Sequence, residues 1–113
     1  MKTCFLFPGQ GAQYPGMGKD LYEAEESVRM LFELASDTTG INMKNLLFEG
    51  TEEDLAQTDK TQTAVTLINL SVREILLSRG VSSDGSAGFS LGEFAALVDA
   101  GVLEPSDVFK LVA

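Results

Sequence analysis

Apolar residues fall into a short strand-like run, several helical faces and glycine-rich breaks between them. The run TCFLF at 3–7 is bounded by Pro8 and Gly9, and its length and aromatic content predict a buried strand. A helical face with the spacing i, i+3, i+4, i+7 follows, and it predicts a helix that ends near Gly40. The residues of that face are Val28, Leu31, Phe32 and Ala35.

The middle of the chain predicts short helices and then a long one. NMKNLLFEG is typical of a helical turn, and TEED at 51–54 resembles a capping sequence with Thr51 as N-cap. The longest helix is predicted over 61–79, with Thr61 as its cap and Gly80 after its end. Because this segment is apolar on most of its circumference, we expect the helix to be largely buried.

The C-terminal third carries a weaker strand signal. VSSDGSAGFS is poor in strand-forming residues, yet a short strand is predicted at 86–89 because the glycine turn behind it needs one. Helices are predicted at 91–100 and from Pro105 to the last residue. Two strands and about six helical segments make an α/β chain. Because a parallel sheet needs both faces covered and usually more than two strands, residues 1–113 are expected to be an incomplete N-terminal segment of a larger domain.

Charge and composition exclude several partners. Eight basic residues against seventeen acidic ones give a net charge of -9, so nothing here could neutralise a row of phosphates and nucleic acid is not expected. No stretch could span a bilayer and the N-terminus does not resemble a signal peptide, so no membrane partner is expected and the expected location is cytoplasmic. The single cysteine, Cys4, is predicted to be buried in the first strand, which fits a reducing compartment.

GFSLG at 88–92 has the form G-x-S-x-G, in which a strand, a tight turn and a helix expose a serine nucleophile. Ser90 would lie at the tip of that turn, and Gly88 and Gly92 would leave room for it. The backbone N–H of Leu91 is then the natural donor to an oxyanion. An ordinary serine N-cap is the alternative interpretation.

A base for this serine is missing from the sequence. Serine nucleophiles usually rely on histidine, and the chain contains none. Lys19 and Lys60 are the lysines nearest in character, but neither forms an S-x-x-K arrangement with Ser90. Glu93 is better explained as a solvated residue that the helix dipole favours. No cluster of cysteine, histidine or carboxylate residues has metal-binding spacing, so no metal is expected. No cofactor is predicted either.

The glycine-rich segment FPGQGAQ at 7–13 directly follows the first predicted strand, as a ligand-facing loop of an α/β fold would. It lacks the third glycine of a dinucleotide fingerprint and the Gly-Lys-Ser/Thr of a P-loop. By itself it remains either a binding loop or a simple glycine turn.

Three segments in one order carry a family resemblance: FPGQGAQYPGMGKDLY, TQTAVTLINLSVREILLSRG and GFSLGEFAALVDAGVL. Together they resemble the malonyl-CoA:acyl carrier protein transacylases of bacterial fatty acid synthesis, and the acyltransferase domains of polyketide and fatty acid synthases share the pattern. The resemblance covers essentially the whole chain. It implies an α/β-hydrolase-like acyltransferase core with parallel strands and flanking helices, and a ferredoxin-like subdomain that is absent from this chain.

The resemblance also implies a ping-pong reaction. Malonyl-CoA, a substrate rather than a cofactor, acylates Ser90, and the malonyl group then passes to the phosphopantetheine thiol of acyl carrier protein. The backbone N–H groups of Gln10 and Leu91 would hold the oxyanion, and Gln62 would lie near the pocket. The family's catalytic histidine and its arginine for the malonyl carboxylate fall outside this sequence, so the 113-residue chain alone is expected to be inactive.

This sequence departs from the family pattern in two motifs, with Phe89 in place of histidine before the serine and Thr63 in place of proline in TQPA. Two other functions stay open. A non-catalytic fragment could bind CoA or acyl carrier protein, although unpaired apolar surface disfavours a designed binding module. An acyltransferase domain of a multidomain synthase is disfavoured because no linker precedes the first strand.

Overall fold

In the computed structural model, residues 2–9, 11–88 and 90–112 are described, and they form two parallel strands with helices between and after them. The strands are β1 (Cys4–Phe7) and β2 (Gly85–Gly88). They pair so that Cys4 lies opposite Gly85 and Phe7 opposite Gly88. The helices are α1 (Lys19–Ala24), α2 (Glu26–Thr39), α3 (Met43–Glu49), α4 (Glu52–Ala56), α5 (Thr58–Ser78), α6 (Glu93–Asp99) and α7 (Pro105–Val112). The predicted α/β class and the parallel pairing are confirmed.

The core forms where α2, α5 and α7 pack on one another, and α6 packs on both strands. All four residues of the predicted α2 face are buried, and Gly40 ends that helix in the left-handed conformation. Phe5 and Phe7 extend the core from β1. The predicted capping sequence is present: Thr51 and Asp54 form a reciprocal capping box at the start of α4.

The long helix α5 begins three residues earlier than predicted. Thr61 is therefore not its cap but lies inside the helix, where its hydroxyl donates to the carbonyl groups of Leu55 and Gln57. The reason is that α4 ends at Ala56 and the chain turns back into a helix after one residue, so the start of α5 is set by the end of α4. Residues 61–71 are buried as predicted except for Gln62, which is half-buried, whereas the last turns of α5 are half-buried or exposed.

The prediction that Cys4 is buried is wrong. Its side chain is exposed, as is that of Leu6. Side chains alternate along a strand, and Phe5 and Phe7 take the face that packs on the helices. Cys4 and Leu6 therefore point to the opposite face, which no element of the described chain covers.

Around β2 and α6 the predicted boundaries shift by one or two residues. The strand is Gly85–Gly88 rather than 86–89, and Phe89 lies outside the described residues. The segment predicted as helix from residue 91 begins with a 3-10 turn, Ser90–Gly92, before α6 starts at Glu93. Helix α1 was not predicted as a separate element.

Within the described ranges, no helix combines the length and the apolar character needed to cross a membrane.

Candidate active site

The turn between β2 and α6 holds Ser90 in an unusual backbone conformation. Ser90 has φ 54°, and among the described residues it is the one non-glycine residue with positive φ. Residues with a Cβ rarely adopt this region, because Cβ crowds the backbone there. Ser90 is exposed at the start of the 3-10 turn that leads into α6. This is the strand–turn–helix geometry that a G-x-S-x-G motif predicts.

Gly88 and Gly92 are required by contacts within the turn. A Cβ on Gly88 would collide with the backbone of Gly92 and Glu93. A Cβ on Gly92 would collide with the carbonyl group of Phe7 and would come within 2.9 Å of the carbonyl oxygen of Pro8. The two glycines therefore let strand β2 approach α6 and let α6 approach the end of β1.

The same contacts bring the glycine-rich loop beside the turn at 88–92, called the elbow, as the family resemblance implied. Pro8 begins that loop, and its carbonyl oxygen accepts a 2.9 Å hydrogen bond from Nδ2 of Asn69 in α5. Farther along the loop, the backbone N–H of Gly11 donates to Oε1 of Gln13 at 2.8 Å. The predicted oxyanion donor Gln10 lies outside the described residues.

A shallow depression of about 390 Å³ lies beside Ser90. Its lining residues are Gln62, Ser90, Leu91, Glu93 and Phe94. Gln62 comes from α5, so the structure brings it to the serine as the resemblance implied. Leu91 follows Ser90 in the 3-10 turn, and the first N–H groups of a helical turn have no partner within it.

No candidate base stands beside Ser90 in the described part of the chain except Glu93. Lys19 lies at the start of α1 and Lys60 in the first turn of α5, and neither lines the depression. Among the described residues, no group of three or more potential ligands could hold a metal ion.

A buried carboxylate at the far end of α6 was not predicted from the sequence. Asp99 accepts a 2.9 Å hydrogen bond from Nε of Arg73 in α5 and another from the hydroxyl of Ser83 before β2. Burial raises the pKa of Asp99, but hydrogen bonds from Ser83, Arg73 and Ser86 and the charge of Arg73 outweigh it, so the pKa is lowered overall. The carboxylate ties α6 to α5 and to the chain entering β2.

Comparison with known proteins places this geometry in a family. A family model described as the acyl transferase domain matches residues 4–113. The malonyl CoA-acyl carrier protein transacylase of Bacillus subtilis (strain 168) is 43% identical over 111 residues, which cover 98% of this chain and 35% of that protein.

A solved structure and a larger synthase extend the match. The crystal structure of malonyl CoA-acyl carrier protein transacylase from Clostridium perfringens ATCC 13124 superposes with a TM-score of 0.93 at 41% identity, covering 99% of this chain and 35% of that one. A phenolphthiocerol/phthiocerol polyketide synthase protein of Mycobacterium tuberculosis (strain CDC 1551 / Oshkosh) is 34% identical over 116 residues, 99% of this chain and 8% of that protein.

The chain thus spans 35% of the length of each of the two transacylases, and the described elements match the part of their fold that it covers. The family model extends over nearly every residue from β1 to the end of α7. The chain belongs to the acyl transferase domain family.

Proposed function

We propose that this segment supplies the nucleophile of an enzyme that transfers a malonyl group from CoA to the phosphopantetheine thiol of acyl carrier protein. The observation that carries the proposal is the left-handed backbone of Ser90 at the tip of a strand–turn–helix. A serine that merely caps a helix keeps an extended backbone. The N-cap position of α6 is in any case Gly92, so helix capping does not account for Ser90.

Transfer takes two displacements at the same hydroxyl. The Oγ of Ser90 attacks the thioester carbonyl of malonyl-CoA, its proton passes to a base, and the C–S bond breaks to release the CoA thiol. The pantetheine thiol of the carrier then attacks the malonyl ester, the C–O bond breaks, and Ser90 recovers its proton. Covalent catalysis of this kind replaces one difficult transfer by two easier ones.

Both displacements pass through an oxyanion that needs hydrogen-bond donors. Leu91, the residue after Ser90 in the 3-10 turn, is well placed to offer its backbone N–H. Gln10 is the second proposed donor; its assignment rests on the family resemblance and on its place in the loop that begins at Pro8. Its neighbours in that loop lie close to the elbow, because the carbonyl of Pro8 contacts Gly92.

The base belongs to a part of the enzyme other than this segment. The sequence contains no histidine, and the one ionisable side chain lining the depression in the described chain is that of Glu93. Family resemblance assigns the base to a histidine and the malonyl carboxylate to an arginine, both outside residues 1–113. Residues 1–113 are accordingly proposed to be the N-terminal part of the catalytic domain, with the ferredoxin-like subdomain elsewhere.

A second candidate is the acyltransferase domain of a polyketide or fatty acid synthase. It is favoured by the 34% identity to a polyketide synthase protein over 99% of this chain. The acceptor distinguishes the two: a freestanding transacylase loads a separate carrier protein, whereas a synthase domain loads a carrier fused to its own chain.

The test is intact-mass measurement of the complete enzyme after incubation with malonyl-CoA. We expect one malonyl adduct, located at Ser90 by peptide mapping, and its transfer when acyl carrier protein is added. Ser90→Ala should give no adduct, whereas Ser82→Ala, which removes an exposed serine upstream of β2, should leave the adduct intact. An adduct that persists in Ser90→Ala would exclude Ser90 as the nucleophile.

The same measurement addresses the non-catalytic alternative. A segment that only binds CoA or the carrier protein would retain that binding and form no ester in any variant.

The proposal includes a cytoplasmic location, which is compatible with the free, exposed thiol of Cys4 because reducing compartments keep thiols unpaired. Cell fractionation tests the location directly.

A further inference from the structure

Asn69 is one of five buried polar residues in α5, and among them it is the one whose side chain hydrogen-bonds the glycine-rich loop. It lies in the middle of α5 and is 5% exposed. Its Nδ2 donates a 2.9 Å hydrogen bond to the carbonyl oxygen of Pro8, 61 residues away in the sequence. Burying an amide is costly unless it is hydrogen-bonded, so this contact holds both partners in place.

The carbonyl of Pro8 is also where the loop meets the elbow. A Cβ on Gly92 would come within 2.9 Å of that oxygen, so the Pro8 carbonyl lies close both to α5 and to the turn that follows Ser90. Asn69 therefore hydrogen-bonds the same carbonyl oxygen that Gly92 approaches.

The loop has a second anchor farther along the chain. The backbone N–H of Gly11 donates to Oε1 of Gln13. Nε2 of Gln13 in turn donates to the carbonyl oxygen of Leu55 at 3.4 Å. Side-chain amides thus fix the backbone before and after position 10. The anchor at Pro8 is the one that also touches the elbow.

We propose that Asn69 is a positioning residue for acyl transfer, which sets the distance between the glycine-rich loop and Ser90 by holding the Pro8 carbonyl. The inference rests on the proposed function, in which residue 10 of this loop donates to the oxyanion. Such a donor acts mainly in the transition state, so displacing it lowers kcat more than it raises KM. A shift of about 1 Å in a catalytic group can cost on the order of 100-fold in rate.

The test uses two substitutions in the complete enzyme that keep the size of the side chain. Asn69→Asp places an acceptor where a donor stood, and Asn69→Leu leaves the Pro8 carbonyl without its partner. In both, we expect the rate of ester formation at saturating malonyl-CoA to fall about 10- to 100-fold, with KM changed by less than about threefold. If one variant does not fold, the other still decides the question.

A matched control separates positioning from stability. Ser71 is fully buried in the same helix, and its hydroxyl donates to the carbonyl of Leu67 without touching the loop. Ser71→Ala should lower the midpoint of unfolding, because a buried carbonyl loses a hydrogen bond, while kcat stays within about twofold of the wild-type value. An equal kcat in the Asn69 variants and in Ser71→Ala overturns the proposal, as does a rise in KM at constant kcat.

Failure of this inference is distinguishable from failure of the proposed function. If the wild-type enzyme forms no ester at Ser90, the proposed function fails and the role of Asn69 fails with it. If the wild-type enzyme forms the ester and the Asn69 variants form it at the same rate, only the positioning role is overturned.

Discussion

At the scale of single residues, Gly92 is the point at which the loop, the elbow and strand β1 meet. Its Cα faces the carbonyl groups of Phe7 and Pro8 so closely that no side chain fits. Because those carbonyls belong to the backbone, they cannot rotate away as a flexible side chain could. A substitution here must move the loop relative to Ser90.

Gly92→Ala should therefore damage both stability and activity. We expect a loss of unfolding free energy of about 3 kcal/mol, typical of forced overpacking, and a strong reduction in ester formation at Ser90. Gly85→Ala is the matched control, because a Cβ there would meet nothing within 4 Å. Chemical denaturation of the two variants checks the difference; equal stability would contradict the close packing at Gly92.

The strain at Ser90 predicts a conflict between stability and activity. Ser90→Ala and Ser90→Gly both remove the hydroxyl, but only glycine adopts φ 54° without a steric cost. We expect Ser90→Gly to be the more stable of the two by about 1 kcal/mol, although neither forms an ester. Denaturation midpoints compare them, and a more stable alanine variant would show that the turn is not strained.

How much of the site the sequence predicts depends on how far apart its parts lie in the chain. The turn at Ser90 is contained in five consecutive residues, so its strand–turn–helix geometry and the need for both glycines could be predicted from local spacing. Asn69 and Pro8 are 61 residues apart, and no local signal joins a helix asparagine to a loop carbonyl. The strand at 3–7 was predicted correctly, but which of its two faces is covered depends on elements elsewhere in the chain. For this reason the burial of Cys4 was mispredicted.

At the scale of elements, α6 is held at both ends. Near its start, Gly92 packs on the end of β1, and near its other end Asp99 accepts hydrogen bonds from Arg73 of α5 and from Ser83. The side chain of Asp99 is 4% exposed, so its charge is well shielded from water. This arrangement fixes the helix that follows Ser90.

The lowered pKa of Asp99 predicts a pH-dependent contribution to stability. A depressed folded-state pKa means that the contribution is present above the ordinary value of 3.8 and is lost as pH falls through the lowered value. We expect Asp99→Asn to reduce unfolding free energy by about 2 kcal/mol at pH 7, and the gap to the wild-type protein to narrow below about pH 4.

Denaturant titrations at a series of pH values between neutrality and pH 3 measure that gap. Asp37→Asn, which removes an exposed carboxylate of α2, controls for the general loss of a negative charge. A gap that stays constant across the series would mean that the loss comes from hydrogen bonds that asparagine cannot make and that the charge of Asp99 contributes nothing.

Element boundaries show which physical information the sequence pattern lacks. The face of α2 was predicted correctly because its four core residues repeat at helical spacing within one helix. The start of α5 was missed because it is set by the one-residue turn after α4. A threonine can cap a helix or donate to a carbonyl group inside one, so the residue type of Thr61 did not show which of the two it does. Local patterns identify an element better than they locate its ends.

At the scale of the whole molecule, charge restricts how a carrier protein docks. The resemblance implies an acidic carrier protein, and this segment carries a net charge of -9. Like charges slow association, so the carrier is expected to dock mainly on basic residues outside this segment. Reversing Lys2, Lys19, Arg29 and Lys44 together should change the rate of transfer to the carrier by less than about threefold. A steep, salt-sensitive loss would place the docking surface here instead.

The sheet and its surroundings leave much apolar surface uncovered in this segment. Leu6 is 76% exposed on one face of β1, and a groove of about 470 Å³ runs between β1, α1 and α5. Val102 and Leu111 are also more than half exposed. Leu6 also lines that groove, and an exposed apolar groove is typical of an interface. The relatives are nearly three times as long as this chain.

We therefore expect residues 1–113, purified alone, to fold poorly and to form no malonyl ester at Ser90. Two reasons act together: the apolar faces lack cover, and no histidine is present to take the serine proton. In a related triad system, losing the base costs nearly as much as losing the nucleophile, because the two act as a unit.

Supplying the remaining two thirds of the Bacillus subtilis transacylase as a separate chain should restore both fold and acylation. Intact-mass measurement compares the segment alone, the mixture, and the mixture with Ser90→Ala. A malonyl adduct at Ser90 of the lone segment would show that the residues present here suffice to activate the hydroxyl.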